Sequence, residues 1–459
     1  MTFDTVVRDC RMVIPFVGVV DGNIGITNGT IAAITQPAES ITGHRVIDAD
    51  GRYVLPGAID PHVHLGYLDP DGVGSEFRSE SGHGALGGVT SFIKMERTFE
   101  PYGGLLDQTI DLGERNSVLD FGFHVTLMTD QHLAEFDKIA QAYGVTSFKF
   151  FMGIRDPEPG SIAKQGVDDG FLWAGFNKVA TLKGGVALVH AENQQIIWRL
   201  RKEWQSANRG NDRLSSWTRT SPPVAEAENI LRAGFLGHNA GCPVYVVHLS
   251  SKMGLDVVHS LREHGYRIDA ETCPQYLTHH EESPEGFLVK VNPPVRSPED
   301  NEALWAGLES GSLRHMGSDH GAKTLHNKHL DGTIWEAAAG FPGMMHILPV
   351  LLSEGVNRGR LGLQRVAELT AGQPARTFGL RQKGTIRVGG DADLVLVDLD
   401  EERTVSHSWH HSGAPYSIYE GHMLKGWPVM TMVRGTVVAE GDTVVGEPGH
   451  GRYIRRDVS

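Results

Sequence analysis

Apolar runs alternate with polar and amphipathic segments through the middle of the chain. Runs that are apolar throughout are typical of parallel strands buried on both faces. Between two of them, Ala225–Gly241 carries apolar residues at helical spacing and ends at a glycine, which predicts a helix. The candidate strands are Val54–Leu65, Val89–Met95, Phe121–Met128, Val145–Phe151, Val186–His190, Val244–Leu249, Tyr266–Cys273 and Leu313–Asp319.

Eight strands that alternate with helices predict an α/β protein with a (β/α)8, TIM-like barrel. An open doubly wound sheet would alternate in the same way, but no glycine-rich phosphate loop follows the first strand. Active-site residues of such barrels lie at the C-terminal ends of the strands. The residues that end the candidate strands are therefore the first candidates for chemistry.

Both ends of the chain carry β-branched runs separated by turn residues. Thr5–Val7 and Ile31–Ile34 lie near the start, and Asp393–Val397 and Thr436–Val438 lie near the end. Neither end has enough strands for a stable sheet, so we expect the two to combine into one small β-sandwich domain. The predicted division is 1–55 and 380–459 for the two parts of the sandwich and 56–379 for the barrel.

Composition narrows the class of protein. The chain has 459 residues, of which 40% are hydrophobic and 21% charged, as expected of a globular protein with one large and one small domain. The net charge of −14 argues against nucleic acid as a partner. Three cysteines with no close pair argue against a disulfide framework. We see no signal peptide and no apolar run near the ~20 residues that span a bilayer, so we expect a cytoplasmic protein without a membrane partner.

His62 and His64 close the first candidate barrel strand. Side chains two residues apart on a strand point to the same face, so both imidazoles could reach one metal ion. A His-x-His pair is a weak signal in a chain with 23 histidines. Its place at the end of an apolar run, shortly after Pro56 and Gly57, strengthens the signal.

Lys149 lies between two phenylalanines in the fourth candidate strand. A charged, unpaired ammonium group would be costly there. The lysine could extend to solvent or pair with a carboxylate. Alternatively, a desolvated neutral amine could react with CO2, and the resulting carbamate could bridge two cations.

His190, His248 and Asp319 each end a later candidate strand. A single histidine there is more often a hydrogen-bonded core residue, and a single aspartate is more often a turn residue. Equivalent positions on one barrel rim instead favour metal ligands, with Asp319 also a candidate general base. Other histidines with metal-like spacing lie in polar stretches, where a solvated loop is the simpler interpretation: His279-His280, His326, His329, His407 and His410-His411.

With these residues the chain resembles the cyclic amidohydrolases, the branch of the amidohydrolase superfamily that contains hydantoinases, dihydropyrimidinases, allantoinases and dihydroorotases. The resemblance covers nearly the whole chain. Each motif is weak alone, but the set is highly specific. The motifs are Pro56–His64, Phe148–Met152, Val189–Asn193, Val247–Ser250, Asn292–Arg296, Ser318–His320, Lys383–Ile386 and Gly389–Leu394.

The resemblance implies a role for each candidate. His62, His64 and Asp319 would bind one divalent metal ion, His190 and His248 would bind a second, and carboxylated Lys149 would bridge them. The metals of this family are usually zinc. A bridging hydroxide would attack the ring carbonyl while Asp319 moves its proton to the leaving ring nitrogen. Asn292 matches a substrate-contacting position, and a homo-oligomer, dimer or tetramer, is also implied.

Three departures from the family pattern bear on the substrate. Dihydroorotases carry an arginine that pairs with the substrate carboxylate where this chain has Gly66. Hydantoinases and dihydropyrimidinases carry an oxyanion-stabilising tyrosine where this chain has Ile154. Loss of such a donor costs ~10²–10³ in rate unless another group replaces it. The asparagine of the hydantoinase loop is Ala339 here.

We therefore expect a two-metal hydrolase of carbon–nitrogen bonds that opens the ring of a cyclic amide or ureide, as hydantoinases and dihydropyrimidinases do. An allantoinase or a cyclic-imide hydrolase is the alternative, and Gly66 makes a dihydroorotase a poorer fit. A non-catalytic scaffold relative would have lost metal ligands, whereas this chain keeps all six. A one-metal, deaminase-like barrel would have no use for Lys149. The segment Tyr67–His83 could be a lid or a solvated loop.

Overall fold

The computed structural model describes residues 2–69, 72–153 and 166–458. The strands are β1 (Thr2–Ile14), β2 (Gly18–Thr27), β3 (Thr30–Thr35), β4 (Thr42–Asp48), β5 (Tyr53–Pro56), β6 (Ala58–Val63), β7 (Val89–Glu96), β8 (Asp120–Thr126), β9 (Ser147–Met152), β10 (Gly166–Val167), β11 (Val186–His190), β12 (Val244–Val246), β13 (Ile268–Thr272), β14 (His315–Met316), β15 (Leu394–Thr404), β16 (Met423–Val433), β17 (Thr436–Glu440) and β18 (Thr443–Val444).

The helices lie mostly between the strands of the middle region. They are α1 (Val73–Leu86), α2 (Leu105–Asn116), α3 (Asp130–Tyr143), α4 (Asp169–Val179), α5 (Gln194–Ser206), α6 (Leu214–Arg219), α7 (Pro223–Ala240), α8 (Lys252–Glu263), α9 (Gln275–Thr278), α10 (Pro298–Ser310), α11 (Leu325–Lys328), α12 (Ile347–Val350), α13 (Leu363–Ala367) and α14 (Gln373–Thr377). No helix within the described ranges is long and apolar enough to cross a bilayer.

The barrel prediction is confirmed. Its strands form one nearly closed sheet in the order β14-β13-β12-β11-β9-β8-β7-β6, with the short β10 beside β9. The neighbours β9, β11 and β12 are parallel, and Leu188 of β11 lies opposite Lys149 on one side and Tyr245 on the other. Every residue of β6, β9, β11 and β12 is buried, as expected of strands covered on both faces.

The expected single strand Val54–Leu65 is two strands, which corrects one detail of the prediction. β5 belongs to the sheet of the chain ends and β6 to the barrel, and they are separated at Gly57. A Cβ atom on Gly57 would lie 2.1 Å from Thr90 Oγ1, so the chain can pass here only with glycine. An apolar run does not reveal a change of sheet, because both strands are buried.

The two ends of the chain combine into one mixed sheet, as predicted. Its order is β18-β17-β16-β15-β5-β1-β2-β3, with β4 beside β1. β5 joins the two contributions, because it is parallel to β1 and antiparallel to β15. Buried side chains from both ends form one core, which includes Met12, Ile24, Leu394 and Met432.

The chain divides into two compact units by its internal contacts. The first comprises Met1–Ile93, Ile110–Gly122 and Pro342–Ile454 and contains the sheet of the chain ends. The second comprises Lys94–Thr109, Phe123–Phe341 and Arg455–Ser459 and contains strands β9 to β14. The division into 1–55, 56–379 and 380–459 remains a prediction.

Candidate functional site

His62 and His64 form a close pair in the first unit. His62 lies in β6 and His64 directly follows that strand, so both side chains project from the same face. Their Nε2 atoms are 3.2 Å apart. The main-chain N–H of His62 donates to the Asp60 carboxylate over 3.1 Å, which ties together the end of the strand that carries the pair. Two imidazole nitrogens directed at one point are suited to bind a cation there.

The loop that follows His64 is held by a buried carboxylate. Glu76 in α1 accepts hydrogen bonds from the main-chain N–H groups of residues 66–69, at 2.6–3.3 Å. The Tyr67 ring stacks on the His64 ring with centroids 5.7 Å apart. The Tyr67–His83 segment is thus largely a packed helix with an anchored loop, and the solvated-loop interpretation is wrong for its described part.

His190 and His248 form the corresponding pair in the second unit, at the ends of neighbouring strands. His190 Nδ1 lies 2.9 Å from His248 Nε2. The other ring nitrogen of His190, Nε2, donates to Glu192 Oε2 over 2.8 Å, and Ser221 Oγ donates to Glu192 Oε1 over 2.5 Å. Because Nε2 carries the proton that it donates to the carboxylate, Nδ1 of the neutral ring keeps its lone pair on the side of His248. This arrangement fits a metal ion shared by the two rings.

Burial and hydrogen bonding act in opposite directions on Glu192. Burial raises its pKa, but the hydrogen bonds from His190 and Ser221 and the charge of Arg296 outweigh that effect and hold the pKa below its usual range. Glu192 is therefore an anion that can hold His190 in one tautomer.

Lys149 is fully enclosed in the second unit. Its exposed fraction is 1%, and it lies on β9 opposite Thr126 on β8 and Leu188 on β11. Burial lowers its pKa to about 7, although the charges of Glu271 and Asp319 act in the other direction. A large fraction of this amine is therefore neutral near pH 7, which is the form that reacts with CO2.

Two of the candidate ligands have an unusual backbone conformation. His248 (φ 43°) and Asp319 (φ 50°) lie in the left-handed region, just after β12 and β14. Non-glycine residues in this region cost free energy and cluster at functional sites. Glu271 of β13 stabilises the backbone of His248. Its carboxylate accepts from the His248 N–H at 3.2 Å and from the Tyr245 hydroxyl at 2.8 Å.

The orientation of the Asn292 amide is fixed by a tryptophan. Trp217 Nε1 donates to Asn292 Oδ1 over 3.1 Å and to the main-chain carbonyl of Val291 over 3.0 Å. An indole N–H can only donate, so the atom that faces it must be the side-chain oxygen. Asn292 therefore presents its NH2 group as a donor to other partners, such as a ring carbonyl.

The structure brings each histidine pair together, and it also reveals residues that the sequence did not single out. Groups of His and carboxylate side chains that could hold a metal ion occur in the described part of the chain, and His62, His64 and Asp319 are among their members. Glu192 and Glu271 were not predicted. Glu192 lies two residues beyond His190, and Glu271 is a carboxylate in a buried strand, which are the signals that could have identified them.

Two smaller expectations are corrected or lie out of reach. His279 and His410 are each 1% exposed, so they are core histidines and not members of solvated loops. His410 Nε2 lies 2.9 Å from the main-chain carbonyl of Ala414, which satisfies one of its two ring nitrogens. Ile154 lies outside the described residues.

Comparison with known proteins places the chain in a family. The model of the amidohydrolase family matches residues 227–438. The L-hydantoinase of Paenarthrobacter aurescens is 37% identical over 99% of this chain and 98% of its own length. The allantoinase of Rubrobacter xylanophilus is 34% identical over 99% and 98%. The solved structure of the L-hydantoinase (dihydropyrimidinase) from Arthrobacter aurescens superposes with a TM-score of 0.90 at 35% identity, covering 98% of this chain and 99% of that one.

Proposed function

Because the chain belongs to the amidohydrolase family and is a hydrolase that acts on cyclic amides, we propose that it opens its ring substrate at a two-metal centre. The observation that carries the proposal is the His190–His248 pair, in which Glu192 occupies one His190 nitrogen and leaves the other directed at His248. The proposed ligands are His62, His64 and Asp319 for one ion, His190 and His248 for the other, and carboxylated Lys149 as the bridge.

The donor set fits divalent metal ions of the zinc class. Imidazoles and carboxylates are typical zinc ligands, and the proposed ion is Zn2+. Two such ions supply Lewis acidity to the substrate carbonyl and bring the pKa of water toward neutrality. Lys149 suits the bridging role because its enclosed, partly neutral amine can add CO2 to give an anionic carbamate.

The chain's own residues would handle the proton and the ring. Asp319 is the proposed general base that takes the proton of the attacking water and returns it to the leaving ring nitrogen. Such transfers contribute ~10²–10⁴ in rate. Asn292, with its NH2 group available, would donate to a carbonyl on the amide or ureide edge of the ring.

The substrate class is a cyclic amide or ureide of the hydantoin or dihydropyrimidine type. Allantoin is the second candidate, because full-length allantoinase relatives are about as similar as the D-hydantoinases. The isoleucine at position 154, where hydantoinases have the oxyanion tyrosine, also favours it.

We further propose a cytoplasmic homo-oligomer, dimer or tetramer, whose state light scattering on the purified protein would determine.

The test combines metal content with ring opening. Wild type, Lys149→Ala and the control Lys138→Ala, an exposed lysine of α3, are loaded with zinc and bicarbonate. Each is assayed on hydantoin, dihydrouracil, allantoin, dihydroorotate and succinimide, and the metal is counted by mass spectrometry. We expect two metal ions per chain and opening of one ring type for wild type and control, and loss of both in Lys149→Ala. A fully active, metal-replete Lys149→Ala protein would rule out the bridging role.

A further inference from the structure

Two basic side chains meet at one indole ring in the second unit. Arg201 of α5 places its guanidinium carbon 3.5 Å from the Trp217 ring centroid, and Lys290 places Nζ 3.8 Å from the same centroid. Trp217 is the residue that donates to the Asn292 side chain. The basic pair therefore lies one side chain away from the proposed ring-binding amide.

The charges at this place are not balanced by acids. In the described part of the chain, no carboxylate lies within ion-pair distance of Arg201 or Lys290, and Arg201 Nε is buried without a hydrogen-bond partner. Lys290 Nζ donates to the main-chain carbonyls of Ile334 and Ala337. Glu192 is the acid that acts on Arg201, and its two oxygens already accept from His190 and Ser221.

Arg201 keeps its charge in this setting. Burial lowers its pKa to about 10, so the guanidinium is still protonated at neutral pH. Burial and the charges of Arg201 and Lys328 lower the pKa of Lys290 to about 6, so that amine is largely neutral there. Arg201 is half-buried, and the indole face offsets part of the cost of desolvating its charge, but its donors still favour an anion.

We propose that Arg201, stacked on Trp217, binds the carboxylate of an acidic substituent on the ring substrate. The proposal rests on the proposed function and narrows it to cyclic amides or ureides with a carboxylate-bearing arm. A guanidinium offers a planar pair of donors that matches a carboxylate, and stacking pre-organises it. Trp217 would position the Arg201 guanidinium and the Asn292 amide relative to each other, since it contacts Arg201 with its ring and Asn292 with its N–H. The acid-binding group would then come from α5 and not from position 66.

A pair of matched substrates tests the proposal. One is hydantoin with a carboxyethyl arm on C5, and the other is its primary amide, which has the same shape without the charge. The proteins are wild type, Arg201→Met, which keeps an unbranched side chain over the indole, and the control Arg199→Met. Arg199 lies on the same helix and pairs with Glu203 at the surface.

We expect wild type and Arg199→Met to prefer the acid to the amide in kcat/KM. Arg201→Met should lower kcat/KM for the acid by about 10- to 100-fold more than for the amide, because a charged hydrogen bond is lost from the acid alone. An equal fall for both substrates would show a structural role and overturn the proposal. So would a wild-type enzyme that disfavours the acid.

Ring opening also creates a carboxylate, so a further experiment must distinguish the carboxylate of the substituent from that of the ring-opened product. If Arg201→Met relieves inhibition by the ring-opened amide product but leaves the acid-to-amide ratio unchanged, Arg201 binds the product carboxylate and the proposal is wrong. If wild type opens neither ring, the proposed function fails on these substrates, and calorimetry with the same two compounds decides on Arg201. If wild type binds the acid but not the amide, and Arg201→Met binds neither, the result would support the subsite. If wild type does not bind the acid, the proposal would be overturned.

Discussion

Glu192 determines which nitrogen of His190 is available to a metal ion. The carboxylate holds the Nε2 proton, and the His190 ring is further fixed by its edge-to-face contact with the His248 ring, with centroids 4.6 Å apart. Partners of this kind orient a ligand and raise its basicity. Glu192 would therefore be a positioning residue for the second metal ion.

Replacement of this carboxylate should weaken metal binding more than it harms folding. Glu192→Gln keeps the shape of the side chain but offers an acceptor that binds the His190 N–H less strongly. We expect metal affinity to fall by ~10–100-fold. Competition with a chromophoric chelator measures that affinity, and Glu203→Gln, an exposed change on α5, is the control. Equal affinities for the two variants would remove Glu192 from the positioning role.

The sequence predicts the candidate ligands better than it predicts the residues that support them. His62, His64, His190 and His248 follow or end apolar strands, and that position can be read from the chain. The role of Glu76 cannot be read in this way, because it depends on a loop that only the folded chain brings near its carboxylate. The left-handed conformation of His248 has no signal in the apolar run that precedes it either.

Among the elements, α7 and α8 are joined by one buried carboxylate. Glu226, in the first turn of α7, accepts from the N–H and hydroxyl of Ser250, and it also accepts from the hydroxyl of Ser251, which caps the N-terminus of α8. Arg296 lies 3.8 Å away. Burial raises the pKa of Glu226, with Arg296 and the serines acting in the other direction.

Removal of this carboxylate should destabilise the protein strongly. Glu226→Ala removes the ion-pair partner of the buried Arg296 guanidinium, and breaking such a buried pair costs about 3–5 kcal/mol. The exposed pair of Glu263 with His259 on α8 is worth at most ~1 kcal/mol, so Glu263→Ala is the matched control. Thermal unfolding of both variants measures the difference. Equal midpoint temperatures for the two variants would show that Glu226 does not stabilise the fold to this extent.

Element types were predictable, and the point where the chain changes sheets was not. The helix expected over Ala225–Gly241 is α7, which begins at Pro223 and ends before Gly241 in the left-handed conformation. The break between β5 and β6 has no periodicity signal, because both strands are apolar. The close approach of Gly57 to the Thr90 side chain explains why a glycine stands between the two strands.

For the whole molecule, buried lysines predict how stability depends on pH. Burial lowers the pKa of Lys328 to about 7, far below its value of 10.5 in an unfolded chain. Between these values the unfolded state binds a proton that the folded state does not, so stability rises with pH in that window. Below pH 7 both states are protonated, and the contribution is flat.

Lys328→Met should therefore flatten this rise. We expect the variant to lose up to about 1 kcal/mol per pH unit of the increase between pH 7 and 10. The free energy of unfolding of the variant should also be lower by an amount that does not depend on pH. The reason is that Lys328 Nζ donates to the main-chain carbonyls of Ala338 and Gly340, and methionine cannot. Urea unfolding at pH 7, 8, 9 and 10 measures both effects, with the exposed Lys138→Met as the control. Parallel curves for variant and wild type would contradict the low pKa.

The architecture follows from the sequence because each level of the pattern agrees. Eight apolar strands and two β-rich ends predict the barrel and the shared sheet, and both are present. The substrate does not follow in the same way, because it depends on individual contacts such as those of Arg201 with Trp217. Neither residue is distinguished by the local pattern.

We propose above all that one chain holds two metal ions bridged by a carboxylated lysine. The most direct test of this proposal is a crystal structure of the zinc-loaded, bicarbonate-treated protein, with anomalous data collected at the zinc edge. We expect two anomalous peaks, one for an ion bound by His62, His64 and Asp319 and one for an ion bound by His190 and His248, with a carbamate on Lys149 between them. A single peak beside an unmodified Lys149, or zinc bound to other residues, would contradict it.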